Sequence, residues 1–315
     1  MRTRSLRSFD LFRIGAMAIV AIHHALSISD LPTPGLFNGR LIIGQIGVSV
    51  FCIISGFFSM HSRGTPPLAW LRRRLTRVYV PYWITLTLLI VANQFSGYKP
   101  MNPELIFSQY LGTGYFTHPS QLLGIHFWFI SLILLCYGLA VFVRLMPALV
   151  VPILGLVLCT PVITSLFAAH IVSFLIGAAL SLFWRERSFA VVASSVAVAC
   201  LLGALYPPMS HLVYSSSATI ALCLCRIPMG NSSHWLTLTS ERTYEFFLVH
   251  GPVYLILRKA LHVSRAVNLT FGTVVAVLAA IVLERVSRPL VHRLQGGQAP
   301  SNRTTDHSLA SHPAS

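Results

Sequence analysis

Acidic residues are scarce in this 315-residue chain: Asp and Glu together number 8, against 23 Lys and Arg. Charged residues of both signs make up only 10% of the sequence, whereas hydrophobic residues make up 55%. So few charges cannot cover the surface of a soluble globule of this size, and so apolar a chain is not disordered. The composition therefore excludes both classes and predicts an all-α polytopic membrane protein.

The sequence also lacks a cysteine framework, a zinc-binding pattern and a glycine-rich phosphate loop. Its six cysteines lie inside apolar runs, and their spacing suits neither disulfides nor a metal site. We therefore expect them to be small buried residues, and we expect no bound metal. They are Cys52, Cys136, Cys159, Cys200, Cys223 and Cys225.

Ten stretches of the sequence are apolar enough to form transmembrane helices, each of which needs about 20 residues to cross a bilayer. They predict a transmembrane domain at residues 1–294. A tail at residues 295–315, rich in Ser, Pro, Gly and Asn, is expected to be disordered and cytoplasmic. The ten stretches are 11–29, 41–60, 78–95, 126–143, 148–167, 169–184, 189–206, 211–226, 243–258 and 266–284.

The basic residues indicate the orientation of these helices. With the N-terminus inside and ten spans, 17 Lys and Arg fall on the inner side and 5 on the outer side. This asymmetry follows the positive-inside rule and predicts that both termini are cytoplasmic. Topology thus accounts for the net charge of +15. Because no nucleic-acid-binding motif accompanies that charge, the expected partner is a lipid bilayer and not nucleic acid.

Ionisable residues inside the first span make it a candidate catalytic helix. Arg13 and His24 are 11 residues apart, which puts them about 20° apart on one helix face and about 16 Å apart along the axis. Asp10, three residues before Arg13, can pair with it. One hypothesis makes His24 a general base and Arg13 a grip for an anionic ligand. The alternatives are an interior histidine and an arginine that snorkels to the membrane surface.

A run of arginines precedes the third span, in a predicted cytoplasmic loop at residues 61–77. It contains Arg73, Arg74 and Arg77. These residues either anchor the topology or form a clamp for phosphate groups, which arginine binds in a bidentate manner. A phosphate clamp on the cytoplasmic face would suit an acyl donor that contains a nucleotide.

Polar residues in the later spans provide further candidates. His250, near the middle of the ninth span, is either a site residue or a hydrogen-bonding contact between helices. Glu245, near the inner boundary of the same span, is expected to pair with a basic loop residue. His126 and Trp128 open the fourth span, where a tryptophan commonly belongs to the aromatic belt at the membrane surface.

The second span is rich in small residues, which allow helices to pack closely. Gly44, Gly47 and Gly56 are expected to have that structural role. Ser55, next to the last of them, is a candidate polar residue of a site.

Five segments, taken in order, resemble the motifs of the integral-membrane acyltransferase 3 family over residues 9–290. They are Asp10-x-x-Arg13 followed by His24, Gly47-Val48 with Phe51 and Ser55-Gly56-Phe57, Arg73-Arg74-x-x-Arg77-Val78-Tyr79-x-Pro81-Tyr82-Trp83, Trp128-Phe129-Ile130-Ser131 with Tyr137, and Tyr244 through Leu248 to His250.

This resemblance implies an O-acyltransferase in the bacterial cytoplasmic (inner) membrane. Such an enzyme moves an acyl group, commonly acetyl, from cytoplasmic acyl-CoA to a hydroxyl of a cell-surface or exported carbohydrate. Acyl-CoA would be a co-substrate, with no cofactor bound permanently. The resemblance makes His24 essential with Arg13 as its partner, and it assigns donor binding to the arginine motif. We expect the acceptor or acyl group to be oriented by Ser55, Trp128, His126 and His250.

A transporter or flippase for a polar or lipid-linked substrate is the alternative function. Arg13 and His24 would then form a substrate site and a proton relay. Transporters of this kind often contain inverted repeats with broken helices, and no convincing repeat is found in the sequence. Consumption of acetyl-CoA with labelling of a surface glycan would distinguish the two functions.

Overall fold

The computed structural model describes residues 6–28, 43–61, 64–159, 165–227, 234–259 and 261–296, and all regular structure in these segments is helical. Of the predicted tail, residues 297–315 lie outside the described segments, as does the side chain of Cys159. The helices are α1 (Leu6–Ile28), α2 (Ile43–His61), α3 (Pro67–Ser96), α4 (Pro103–Tyr110), α5 (Gly114–Thr117), α6 (Trp128–Leu145), α7 (Val150–Cys159), α8 (Leu166–Leu182), α9 (Phe189–Ala204), α10 (Leu212–Leu224), α11 (His234–Glu241), α12 (Thr243–Lys259) and α13 (Arg265–Leu294).

Each of the ten predicted spans contains a helix in the part of it that the structure describes. Within the described segments, 5 helices are long and apolar enough to cross a membrane, namely α1, α2, α3, α6 and α13. Shorter apolar helices form α7, α8, α9 and α10. The chain is therefore an all-helical, multi-pass membrane protein.

Helix α2 lies at the centre of the bundle and packs against α1, α6, α8 and α10. In its most apolar window 67% of the residues are buried, against 28% in α13 at the periphery. Its glycines permit this packing. A Cβ atom on Gly56 would collide with the carbonyl oxygen of Phe174 in α8, and one on Gly47 would collide with that of Ala16 in α1. The close packing expected of these small residues is present.

The arginine run is helical, which corrects the predicted loop at residues 61–77. Helix α3 begins at Pro67, so Arg73, Arg74 and Arg77 lie in its first three turns. Proline suits the first turn of a helix because its ring presets φ and its missing N–H would have no intrahelical partner there. The Leu, Ala and Arg residues that follow are good helix formers. The arginines are therefore held on a rigid helix.

The segment between α3 and α6 folds back along α3. The hydroxyls of Tyr79 and Tyr82 donate to the carbonyls of Leu111 and Gln109 at the end of α4, over 2.7 and 2.6 Å. These tyrosines lie 14–17 residues before the end of α3, about 20–25 Å along its axis. Helix α4 thus packs along α3, and tyrosine hydroxyls of α3 satisfy two carbonyls at its end. The same segment ends in the short 3₁₀ turn Ile125–Phe127 that precedes α6.

Polar contacts hold the segment between α3 and α6 in place. The side chain of Asn93 bonds the backbone of Lys99 through both its amide nitrogen and its oxygen, at 2.8 and 2.9 Å. The Lys99 ammonium donates to the carbonyl of Leu122 at 2.6 Å. The backbone N–H of Leu123 donates to Gln109 Oε1 at 3.1 Å. These bonds set the path of the chain into the 3₁₀ turn.

Candidate active site

Three histidines from distant parts of the chain meet inside the bundle. His24 lies near the end of α1, His126 in the 3₁₀ turn before α6, and His250 in α12. The ring centroid of His250 is 5.0 Å from that of His24 and 5.1 Å from that of His126. His126 and His250 are fully buried and His24 is half-buried. We call these residues the histidine cluster.

The hydrogen bonds of the cluster determine which ring nitrogens carry protons in the neutral rings. His250 Nδ1 lies 3.1 Å from the carbonyl oxygen of Phe246, which can only accept, so Nδ1 donates. The Nε2 of the neutral His250 ring is then an acceptor. It lies 2.7 Å from His24 Nδ1, which therefore donates to it. As a result, His24 Nε2 carries a lone pair and can accept a proton.

The sequence His250-Gly251-Pro252 in α12 provides both the space and the hydrogen-bond acceptor that position the His126 ring. Pro252 has no N–H, so the carbonyl of Leu248, four residues earlier, lacks its intrahelical donor. His126 Nε2 donates to this carbonyl at 3.2 Å. Gly251 provides the space, because a Cβ atom there would lie 2.7 Å from His126 Nδ1.

A cavity of about 130 Å³ lies below the histidine cluster, between α1, α2, α3, α6 and α12. Four of the site candidates from the sequence analysis line it. They are Arg13, Ser55, Arg74 and Arg77. Ser240 and Glu241 of α11 and Thr243 of α12 also line it, and aromatic and aliphatic side chains complete its wall. It is therefore a passage with apolar walls and charged groups of both signs at one end. We call it the inner cavity.

One layer of side chains separates the inner cavity from the histidine cluster. Val20, which lines the cavity, precedes His24 by one helical turn. Phe247 also lines the cavity, and its ring centroid lies 5.1 Å from that of His126 and 5.9 Å from that of His250. A ligand that extends upward from the arginines would therefore reach the histidines past Phe247.

A second cavity of about 470 Å³, which we call the outer cavity, opens between α3, α12 and α13. Arg74, Arg77 and Glu241 line both cavities, so the two meet at these side chains. Five ionisable residues add to its wall without reaching the inner cavity: Arg73, Arg288, Glu245, Glu284 and His292. Its volume is in the usual range of small-ligand sites.

Arg13 is held beside the inner cavity by its neighbours. Its guanidinium pairs with Asp10 at 3.9 Å, as the i, i+3 spacing predicted, and stacks on the ring of Phe58 with 5.1 Å to the centroid. Asp10 in turn accepts a hydrogen bond from the Ser240 hydroxyl at 2.7 Å. Asp10 therefore orients Arg13 and ties α1 to α11.

The predicted site residues fall into three groups. His24, His126 and His250 form the histidine cluster, and the arginines with Ser55 line the cavities below it. Trp128 is apart from both, because its ring stacks on His170 at 5.5 Å. Among the described residues, no group of three or more His, Cys, Asp or Glu has the arrangement of a metal site.

Sequence reasoning missed the acidic and aromatic part of the outer cavity. Glu245 forms no ion pair among the described residues, which corrects the expectation that it pairs with a basic loop residue. Glu284 forms ion pairs instead, at 3.5 Å from Arg242 and 3.0 Å from Arg288. Trp70 was not singled out either. Trp70 lies four residues before Arg74, and residues at i and i+4 share a helix face. This spacing could have predicted that Trp70 lies in the same cavity as Arg74.

Comparison with known proteins adds to this geometry. The family model described as an acyltransferase domain, acyltransferase 3, matches residues 6–285. No curated protein and no solved structure matches the chain. The match covers most of the 315 residues, including the histidine cluster and the inner cavity, and it ends before Arg288 and His292 of the outer cavity. The chain therefore belongs to the acyltransferase 3 family of membrane acyltransferases.

Proposed function

We propose that this protein is an O-acyltransferase that moves an acyl group, commonly acetyl, from cytoplasmic acyl-CoA to a hydroxyl of a cell-surface or exported carbohydrate. The family match supports acyl transfer and favours it over a transporter or flippase. The bacterial cytoplasmic membrane is the proposed location, with acyl-CoA entering from the side of the arginines.

The observation that carries this proposal is the hydrogen bond of 2.7 Å between His24 Nδ1 and His250 Nε2. It orients His24 so that its Nε2 lone pair is available as a base. When His24 takes up a proton, His250 continues to accept from Nδ1 and stabilises the imidazolium. This is the arrangement of a base oriented by a second group that acyl-transfer sites use.

The cavities provide a path for the donor. Arg74 and Arg77, where the two cavities meet, are suited to the phosphates of CoA, and Arg13 adds a third cation to the inner cavity. The separation of about 16 Å between Arg13 and His24 along α1 suits the extended pantetheine arm. Ser55 lines the passage that this arm would occupy, and the thioester would reach His24 by displacing the Phe247 ring.

The proposed reaction is a direct acyl transfer. His24 Nε2 removes the proton of the acceptor hydroxyl, and the hydroxyl oxygen forms a bond to the thioester carbonyl carbon. The carbon–sulfur bond then breaks, and CoA leaves with its electron pair on sulfur. His24 returns the proton to that sulfur, which restores the neutral histidine and releases CoA as a thiol.

The experiment uses membranes that contain the protein, acetyl-CoA labelled in its acetyl group, and mass spectrometry of surface glycans. Wild-type membranes should transfer the label, and His24→Ala should lower the rate at least about 100-fold, the usual contribution of a general base. His23→Ala is the matched control, because His23 is the neighbouring histidine and packs against Gly44 of α2. Full transfer by His24→Ala would overturn the assignment of the base.

A further inference from the structure

Two side chains that line the outer cavity each carry a buried polar atom without a partner. Glu245 is 8% exposed and Trp70 is 4% exposed, and both side chains line this cavity. Neither Glu245 Oε2 nor Trp70 Nε1 forms a hydrogen bond among the described residues. A buried polar atom without a partner is costly, so each such atom requires an explanation, and a bound ligand is one.

The two atoms are of opposite hydrogen-bonding type. An ionised carboxylate oxygen only accepts, and an indole N–H only donates. Both side chains line the outer cavity and neither lines the inner one, so they are separated from the histidine cluster by the junction at Arg74 and Arg77. Whatever they bind is therefore on the far side of the arginines from the reacting thioester.

We propose that the outer cavity binds the adenine of the acyl-CoA donor, with Glu245 accepting a hydrogen bond from its 6-amino group and Trp70 donating to a ring nitrogen. Adenine carries an amino donor beside ring-nitrogen acceptors, which matches the two unpaired atoms. This inference rests on the proposed function, in which Arg74 and Arg77 hold the phosphates. It makes Glu245 a specificity-determining residue for the donor.

Glu245 also has a possible structural role, which the experiment must distinguish from adenine recognition. It lies in the first turn of α12, where a negative charge stabilises the positive end of the helix dipole. Replacing it would then alter stability and would weaken all donors alike. Only a contact between Glu245 and adenine makes the loss of affinity depend on the 6-amino group.

The test measures the binding of two probes to the purified full-length protein: CoA, and its purine analogue in which hydrogen replaces the 6-amino group. Wild-type protein should bind CoA about tenfold more tightly than the analogue, the usual value of a hydrogen bond to a charged group. Glu245→Met should bind both with equal affinity. Glu245→Gln, whose amide oxygen still accepts, should keep part of the preference. Glu104→Met, an exposed residue of α4, should keep all of it.

The wild-type comparison needs no variant and decides the question if Glu245→Met fails to fold. Equal binding of the two probes by wild-type protein would overturn adenine recognition and leave the proposed function intact. A preference that survives in Glu245→Met would overturn the role of Glu245. Wild-type protein that binds neither probe would overturn both this inference and the CoA donor.

Discussion

At the scale of single residues, the chemistry depends on a hydrogen bond that joins positions 24 and 250. Each histidine alone has a structural interpretation, since interior histidines often link helices. The hydrogen bond between the two rings favours a catalytic interpretation instead. The carbonyl of Phe246 accepts from His250 Nδ1, which leaves His250 Nε2 to accept from His24. The orientation of the base is thus set by a backbone carbonyl through a second ring.

We predict that His250→Leu lowers kcat about 100-fold and leaves the KM for acetyl-CoA unchanged, because His24 loses the acceptor that orients it. His250→Gln should retain activity within about tenfold, since its side-chain oxygen reaches the position of Nε2 and still accepts. Steady-state kinetics of acetyl transfer would measure both. An equal loss in the two variants would indicate a packing role for His250.

The arginine motif allows a matched comparison of neighbouring residues. Arg77 lines both cavities, whereas Arg72 lines neither and donates to the carbonyl of Leu294 in α13 at 2.9 Å. Arg77→Gln should raise the KM for acetyl-CoA about tenfold, because one charged hydrogen bond to phosphate is lost. Arg72→Gln should leave this KM unchanged. Equal KM values in both variants would contradict a phosphate clamp.

At the scale of helices, small residues and prolines place the site. The close contact of α2 with α1 and α8 holds α1, and with it Arg13 and His24, against the centre of the bundle. In α12 the sequence Gly251-Pro252 opens a space and frees a carbonyl for His126. Helix geometry thus decides which side chains can meet.

We predict that Gly56→Ala and Gly177→Ala lower the melting temperature of the purified protein by several degrees. A Cβ atom at either position would collide with a backbone carbonyl of the facing helix, which cannot turn aside as a side chain can. Gly138→Ala in α6 is the control, because no heavy atom lies within 4 Å of its Cβ position. It should leave stability unchanged or raise it slightly through helix propensity. A loss as large at Gly138 would show that the packing argument is wrong.

At the scale of the whole molecule, the arginines and the cavities lie at the same end of the bundle as the start of α1. Arg13 near the start of α1 and Arg74 near the start of α3 line one cavity. The start of α12 and the end of α13 meet there too. The donor's phosphates would therefore enter from the side that holds most of the positive charge.

We predict that both termini are cytoplasmic, as the distribution of Lys and Arg requires. Reporter fusions that are active on only one side of the membrane would measure this at each terminus. The cytoplasmic reporter should be active at both ends, and a periplasmic reporter should be silent at both. Opposite locations of the two termini would contradict an even number of spans.

Much of this architecture could be predicted from local sequence, because burial of an apolar helix in lipid depends on its own composition. The apolar stretches, the ion pair of Asp10 with Arg13 and the small residues of α2 are of this kind. The start of α3 was placed too late, since charged helix formers continue a helix beyond the apolar segment.

Only the tertiary packing determines the contacts between residues that are far apart in the chain. His24 and His250 are 226 positions apart, and no periodicity relates them. The same is true of Glu245 and Trp70, whose side chains both line the outer cavity because α3, α12 and α13 enclose it. A helix's own sequence specifies which face carries a polar group, whereas its partner across the bundle depends on how the other helices pack.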